Sequence, residues 1–304
     1  MRRVLAALAL VVALVTSGCA TAPLQQRLTG ALAHQFTTGG AVLSYCASAP
    51  VEAWTPQLRR VVVVVHGLDR NACGMRQAAV DALGGEPDDT VVVAPHFATS
   101  VDAVTGGHVW GTMAWPAGEE SNAGLSSYAA LDALVASFGD RSVTLVGFSG
   151  GGQFTNRYAA VSSTTLDSYV VVNPSTYLWF TPDRPGPTAS CPGYDRWRYG
   201  LDHRNRYASR LSIGQIERQY AARHVTYLIG TADDDPRSSS LDRTCGAMAQ
   251  GPNREERALN YHRHRSDVFG AQVAARQPFV LVPGVGHDGR AMLTSPSGAA
   301  TLRG

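Results

Sequence analysis

Ser142-Val143-Thr144-Leu145-Val146-Gly147-Phe148-Ser149-Gly150-Gly151 is the stretch whose reading decides the fold. A β-branched apolar run, the mark of a buried strand, stops at a serine flanked by glycines, and a helical pattern over 153–160 follows. In the pattern G-x-S-x-G the chain reverses so sharply that a Cβ at either outer position would collide with the neighbouring strand or helix. The serine is then left at the end of the strand. The Gly150 amide falls in the first turn of the helix, where unpaired donors and the positive end of the dipole favour an anionic oxygen. Five residues in a chain with 31 glycines are a short pattern, so the reading depends on what flanks them.

Outward from this stretch, strand and helix alternate. Residues 60–65 read Arg-Val-Val-Val-Val-Val, a continuous run suited to a strand buried on both faces of a sheet, and 90–94 and 169–172 repeat the pattern. Further strands are predicted over 41–46, 224–229 and 279–282, and helices over 74–83, 121–138 and 207–222. Such alternation predicts an α/β fold, a mostly parallel sheet with helices on both faces. Sheets of this kind place their sites beyond the carboxyl ends of the strands. His66, Ser149, Asp233 and His287 all fall there. Two segments break the rhythm. Residues 96–118 have no period and read as a long surface loop. Residues 175–210, with Tyr177, Trp179, Phe180, Tyr194, Trp197 and Tyr199 among prolines and arginines, read as a cap inserted over the sheet's edge. With 304 residues, 44% of them hydrophobic, one domain over 41–304 is expected.

Charge and composition exclude several chemistries. A formal net charge of +2 is too small for a nucleic-acid partner. All 26 cationic side chains are arginine, so no Schiff base, P-loop lysine or Ser-Lys dyad can be built. Residues 1–18 carry Arg2-Arg3, a short apolar run and Thr16-Ser17-Gly18, a signal-peptide pattern ahead of Cys19. The small residues before Cys19 resemble a lipobox, with Thr16 where leucine is preferred, and Ala20-Thr21-Ala22 offers ordinary cleavage as the alternative. The expectation is an exported protein of a bacterial cell envelope, lipid-anchored to the membrane through Cys19 or else secreted, with 19–40 as a tether. Cys46, Cys73, Cys191 and Cys245 are then an even set in an oxidising setting, and two disulfides are expected. Of three connectivities, Cys46 with Cys73 and Cys191 with Cys245 is preferred. No C-x-x-C spacing occurs, so no metal site and no cofactor is expected.

Serine in a G-x-S-x-G elbow, an acid after a later strand and a histidine after the last one follow the chain order of the α/β-hydrolase superfamily, which this sequence resembles over roughly 60–287. His66-Gly67, Gly152-Gln153 and Gly230-Thr231-Ala232-Asp233 are similar to its esterase and polyhydroxyalkanoate-depolymerase-like branch. The resemblance implies a serine hydrolase of carboxylic esters, with Ser149 as nucleophile, His287 as base and Asp233 as the orienting acid. Asp235 is the alternative acid, and Asp234 is read as a solvated carboxylate. The amides of Gly150 and Leu68 are the expected oxyanion donors, with His66 bracing the loop. Acyl transfer or peptide hydrolysis on the same triad, or binding without turnover, are the alternatives. Trp115 and Trp179 are the candidates for the acyl wall. Arg196, Arg198 and Arg204 are expected to be solvated or paired with Asp195 and Asp202, which favours a neutral ester as substrate.

Overall fold

The valine runs do what a doubly covered sheet requires. In the strand Arg60–Val65 (β3) all five valines are fully buried, and they divide by parity: Val61, Val63 and Val65 belong to one apolar core, Val62 and Val64 to the other. Neighbouring side chains on a strand point to opposite faces, so an unbroken run is stable only where both faces are covered. Each fully buried valine contributes on the order of 1.5 kcal/mol or more.

The computed structural model describes residues 33–102 and 105–304. The other strands are Ala33–Thr38 (β1), Ala41–Cys46 (β2), Thr90–Pro95 (β4), Ser142–Phe148 (β5), Ser168–Val172 (β6), Val225–Gly230 (β7) and Phe279–Val282 (β8). They form one sheet in the order β1-β2-β4-β3-β5-β6-β7-β8. β1, β2 and β4 pair antiparallel, and every pairing from β4 through β8 is parallel. The helices are Ala72–Leu83 (α1), Ser127–Ala136 (α2), Gly150–Val161 (α3), Ile213–Ala222 (α4), Cys245–Met248 (α5), Arg254–Phe269 (α6), Ala271–Arg276 (α7), Gly289–Thr294 (α8) and Pro296–Arg303 (α9). The core containing Val61 and Val63 takes in Leu131, Phe154, Tyr158, Ile216, Tyr220 and Tyr261, from α2, α3, α4 and α6. The opposite core takes in Met75, Ala79, Met292 and Leu302, from α1, α8 and α9.

Three expectations need correction. The tether expected over 19–40 is cut short: β1 already occupies Ala33–Thr38 and pairs residue for residue with β2. Gly39 and Gly40, at φ of +54° and +80°, make the two-residue turn that such a hairpin requires. The helix expected over 207–222 begins at Ile213, because Ser212 and Gln215 form a reciprocal capping box there. The helix expected from 121 begins at Ser127, capped by the Ser126 side chain. The signal segment 1–18, Cys19 and the rest of the tether lie outside the described residues. No helix among the described residues is long and apolar enough to cross a membrane.

Both disulfides form, Cys46 with Cys73 and Cys191 with Cys245, at Cα separations of 5.3 and 5.7 Å. The first ties the end of β2 to the first turn of α1. The second ties the irregular segment between β6 and α4 to α5. That segment turns Tyr177, Leu178, Trp179 and Phe180 inward. Its main-chain N–H groups donate to body side chains: Tyr177 to Gln250 (2.9 Å), Leu178 to Asn156 (2.9 Å) and Phe180 to His264 Nε2 (3.0 Å). Farther along, Trp197 Nε1 donates to Ala117 O (2.9 Å) and Arg198 Nη1 to Met113 O (2.8 Å), which joins the segment to the 96–118 loop.

Candidate active site

At the carboxyl end of β5 the backbone turns into α3 through Ser149, which has φ of +55° and ψ of −113°. A non-glycine residue holds such a conformation at a cost on the order of 1–3 kcal/mol and only where its surroundings impose it. The surroundings here are contacts that only glycine permits. A Cβ at Gly147 would lie 2.0 Å from Gly151 O, and one at Gly151 would lie 2.2 Å from Val65 O. The elbow therefore presses the start of α3 against the end of β3. Ser149 is 5% exposed, its N–H donating to Val172 O (2.9 Å).

His287 follows β8, and its Nε2 lies 2.9 Å from Ser149 Oγ. Its Nδ1 lies 2.6 Å from Asp233 Oδ2. A carboxylate accepts, so Nδ1 carries the hydrogen and Nε2 is free to accept from the serine hydroxyl. Asp233 is buried, whereas Asp234 and Asp235 are exposed, and Asp235 lies 3.8 Å from Arg237. The structure thus brings Ser149, His287 and Asp233 into one hydrogen-bonded line and leaves Asp235 outside it.

The loop after β3 packs onto the elbow. A Cβ at Gly67 would sit 3.4 Å from Ser149 Cβ, and one at Gly150 would sit 2.9 Å from Leu68 Cδ2. Gly150 is the first residue of α3, so its amide has no intrahelical acceptor. His66 is fully buried, and its two ring nitrogens have fixed roles: Phe97 N–H donates to Nε2 (3.0 Å), and Nδ1–H donates to Gly67 O (2.8 Å). Burial holds this imidazole down at about 4, well below its ordinary 6.5, so it stays neutral and ties the loop in place. Arg70 bonds Leu68 O through Nη1 and pairs with Asp102 at 2.7 Å.

The two tryptophans are not where an acyl wall would need them. Trp115 is fully buried, stacked on Phe97 (centroids 5.5 Å) and edge-on to His66 (4.8 Å), so it supports the loop after β3 from inside. Trp179 packs against His264 (4.2 Å), with the Arg184 guanidinium 4.9 Å from its ring. It lines a hollow of about 540 Å³ that contains none of Ser149, Asp233 and His287. The reason is the inward turn of 177–180 onto α3 and α6, which spends these aromatic rings on packing. Arg196 is exposed, as expected, but the carboxylates take other partners: Asp195 pairs with Arg184 and Asp202 with His203, while Arg198 pairs with Asp242.

Two residues that hold this line in place escaped the sequence reading. Asn173, at φ of +41° after β6, accepts from Gly230 N–H (2.8 Å) and donates to Gly286 O (3.1 Å), clamping the strand before Asp233 to the loop before His287. The available signal was the Asn-Pro that ends the strand. Arg254, the first residue of α6, places Nη1 3.1 Å from Asp233 Oδ1. Nothing local marked it among the arginines of its stretch.

No family model matches this sequence, and no curated protein matches it. Solved structures do. Poly(aspartic acid) hydrolase-1 from Sphingomonas sp. KT-1 is 21% identical, with a TM-score of 0.67, over 90% of this chain and 98% of that one. The poly(3-hydroxybutyrate) depolymerase LpqC from Bordetella parapertussis is 25% identical, with a TM-score of 0.62, over 89% of this chain and 93% of that one. Sheet order, elbow and these likenesses agree that the chain has the α/β-hydrolase fold.

Proposed function

We propose that the protein is a serine hydrolase that cleaves neutral carboxylic esters through an acyl-enzyme on Ser149. The observation that carries this reading is the line Ser149 Oγ to His287 Nε2 (2.9 Å) and His287 Nδ1 to Asp233 (2.6 Å). Ser149 Oγ attacks the ester carbonyl as its proton passes to Nε2, and the Gly150 and Leu68 amides receive the oxyanion. His287 then returns the proton to the departing alcohol, and water repeats the sequence to free the acid. Asp233 orients the imidazole and balances its charge.

A neutral substrate suits the site because the two arginines that touch it are already engaged: Arg70, which holds Leu68 O, with Asp102 and Arg254 with Asp233. The polyester named for the Bordetella enzyme makes poly(3-hydroxybutyrate) film a sensible substrate beside small esters. Two disulfides support an exported location, with Cys19 as the proposed lipid anchor.

The test is a fluorophosphonate probe with a series of p-nitrophenyl esters of rising acyl length. Wild type should label and turn over, and Ser149→Ala should do neither while keeping its fold by circular dichroism. A folded wild type that does not label is a binding protein. Labelling with turnover of amides but not esters would move the substrate to peptides. Turnover that depends on an added alcohol would mark acyl transfer.

A further inference from the structure

We infer that Arg254 is a positioning residue for the reaction, holding the Asp233 carboxylate in the one orientation that serves His287. The inference rests on the serine-hydrolase reading above. Asp233 uses its two oxygens for two partners, Oδ2 for His287 Nδ1 (2.6 Å) and Oδ1 for Arg254 Nη1 (3.1 Å). The guanidinium is itself fixed: Nη1 also reaches Ser238 Oγ (3.3 Å), and Nη2 donates to Ser240 Oγ (2.9 Å). Both serines stand on the loop that follows Asp233. The backbone adds a further hold, since Glu255 N–H donates to Asp233 O (3.2 Å). Arg254 opens a 16-residue helix whose cap, Asn253, accepts from Glu256 N–H. One helix start thus grips the side chain and the main chain of the same aspartate.

The pair is buried, with side-chain exposures of 1% for Arg254 and 4% for Asp233. Burying two charges is costly, and a buried pair does not by itself stabilise a fold. Burial draws the Arg254 guanidinium below its ordinary value, and Asp233 counteracts this. The arrangement has a chemical effect. Arg254 occupies Oδ1 and leaves Oδ2 to His287, so it holds the carboxylate still.

Removing the guanidinium should reveal this role. In Arg254→Gln kcat should fall about 10–100-fold with KM little changed, because the carboxylate can turn. Arg254→Lys keeps the charge without the fork. Its kcat should lie between those of wild type and the glutamine variant.

Rates are to be taken per site labelled by the fluorophosphonate probe, so that unfolded protein does not enter them. If Arg254→Gln yields no folded protein, Arg254→Lys and Ser240→Ala carry the test. The inference expects each to lose several-fold in kcat with KM little changed. An Arg254→Gln enzyme with wild-type kcat overturns the inference, as do wild-type rates in both substitute variants. Those results leave the serine-hydrolase reading standing. A folded wild type inert to both ester and probe overturns that reading and the inference with it.

Discussion

Asn173→Ala removes a clamp that touches no substrate, and its effect can be worked out bond by bond. Asn173 is 1% exposed, and its amide spans Gly230 N–H and Gly286 O at 2.8 and 3.1 Å. Gly230 is buried, so its N–H is left without an acceptor, at about 1–3 kcal/mol. Gly286 is half-buried, and its carbonyl can turn to water, so about 0.5–1.5 kcal/mol is lost there. The φ of +41° is a conformation that alanine resists by about 1 kcal/mol more than asparagine. Together these give about 3–5 kcal/mol, or a Tm about 6–12 °C lower for a chain of this size. Gly286 immediately precedes His287, and a misplacement of about 1 Å costs about a hundredfold. We expect kcat on a p-nitrophenyl ester to fall about 10–100-fold with KM little changed. Scanning calorimetry and rates per labelled site are the assays. Asn173→Gly, which accepts the positive φ, should recover about 1 kcal/mol of stability and none of the rate. A Tm within about 2 °C of wild type together with an unchanged kcat would refute the clamp. A lower Tm with wild-type kcat would confine its role to the sheet.

Two further outcomes follow from the same geometry. Asp233→Asn should lower kcat by about 10³–10⁴ and also destabilise by about 3–5 kcal/mol, because it leaves Arg254 buried beside a neutral group, whereas Asp235→Asn should stay within about twofold. Equal losses in the two variants would remove Asp233 from the acid role. Thermal stability should decline as the pH falls from 6.5 towards 4, the window opened by His66. Burial also draws His96 and His264 down to about 3. The sign follows from linkage: the unfolded chain takes up these protons at a higher pH than the folded one, so acid favours unfolding. In His264→Gln, whose amide oxygen can still accept from Phe180 N–H, the decline of Tm should be shallower. A parallel decline would absolve His264.

The strands were legible because their chemistry is simple. Residues 60–65 and 279–282 match β3 and β8 to the residue, since long β-branched runs admit little else. β1 was missed because Ala-His-Gln-Phe-Thr-Thr lies at the sheet's edge, half-exposed and without a clean alternation. Only the Gly-Gly that follows hinted at a hairpin. The polarity of α6 hid which way it faces. Arg254, Arg257 and Arg265 are all buried, so the usual equation of charge with surface conceals a helix that faces inward. The chain order Ser149, Asp233, His287 was readable because such sheets gather the carboxyl ends of their strands. The partners that hold these residues, Asn173 and Arg254, come from a strand end and a helix start with no pattern in common. Trp179 shows the opposite failure, since aromatic density is as good a sign of packing as of binding.

The way 175–210 is fastened decides whether the segment can move. Tyr177, Leu178 and Phe180 are held by buried bonds to Gln250, Asn156 and His264, and the Cys191–Cys245 bridge closes the segment onto α5. Swinging it outward would expose four large apolar side chains and break those bonds, a cost on the order of 10 kcal/mol that thermal motion does not supply. The segment is therefore set when the chain folds and stays fixed afterwards, a part of the body rather than a moving lid.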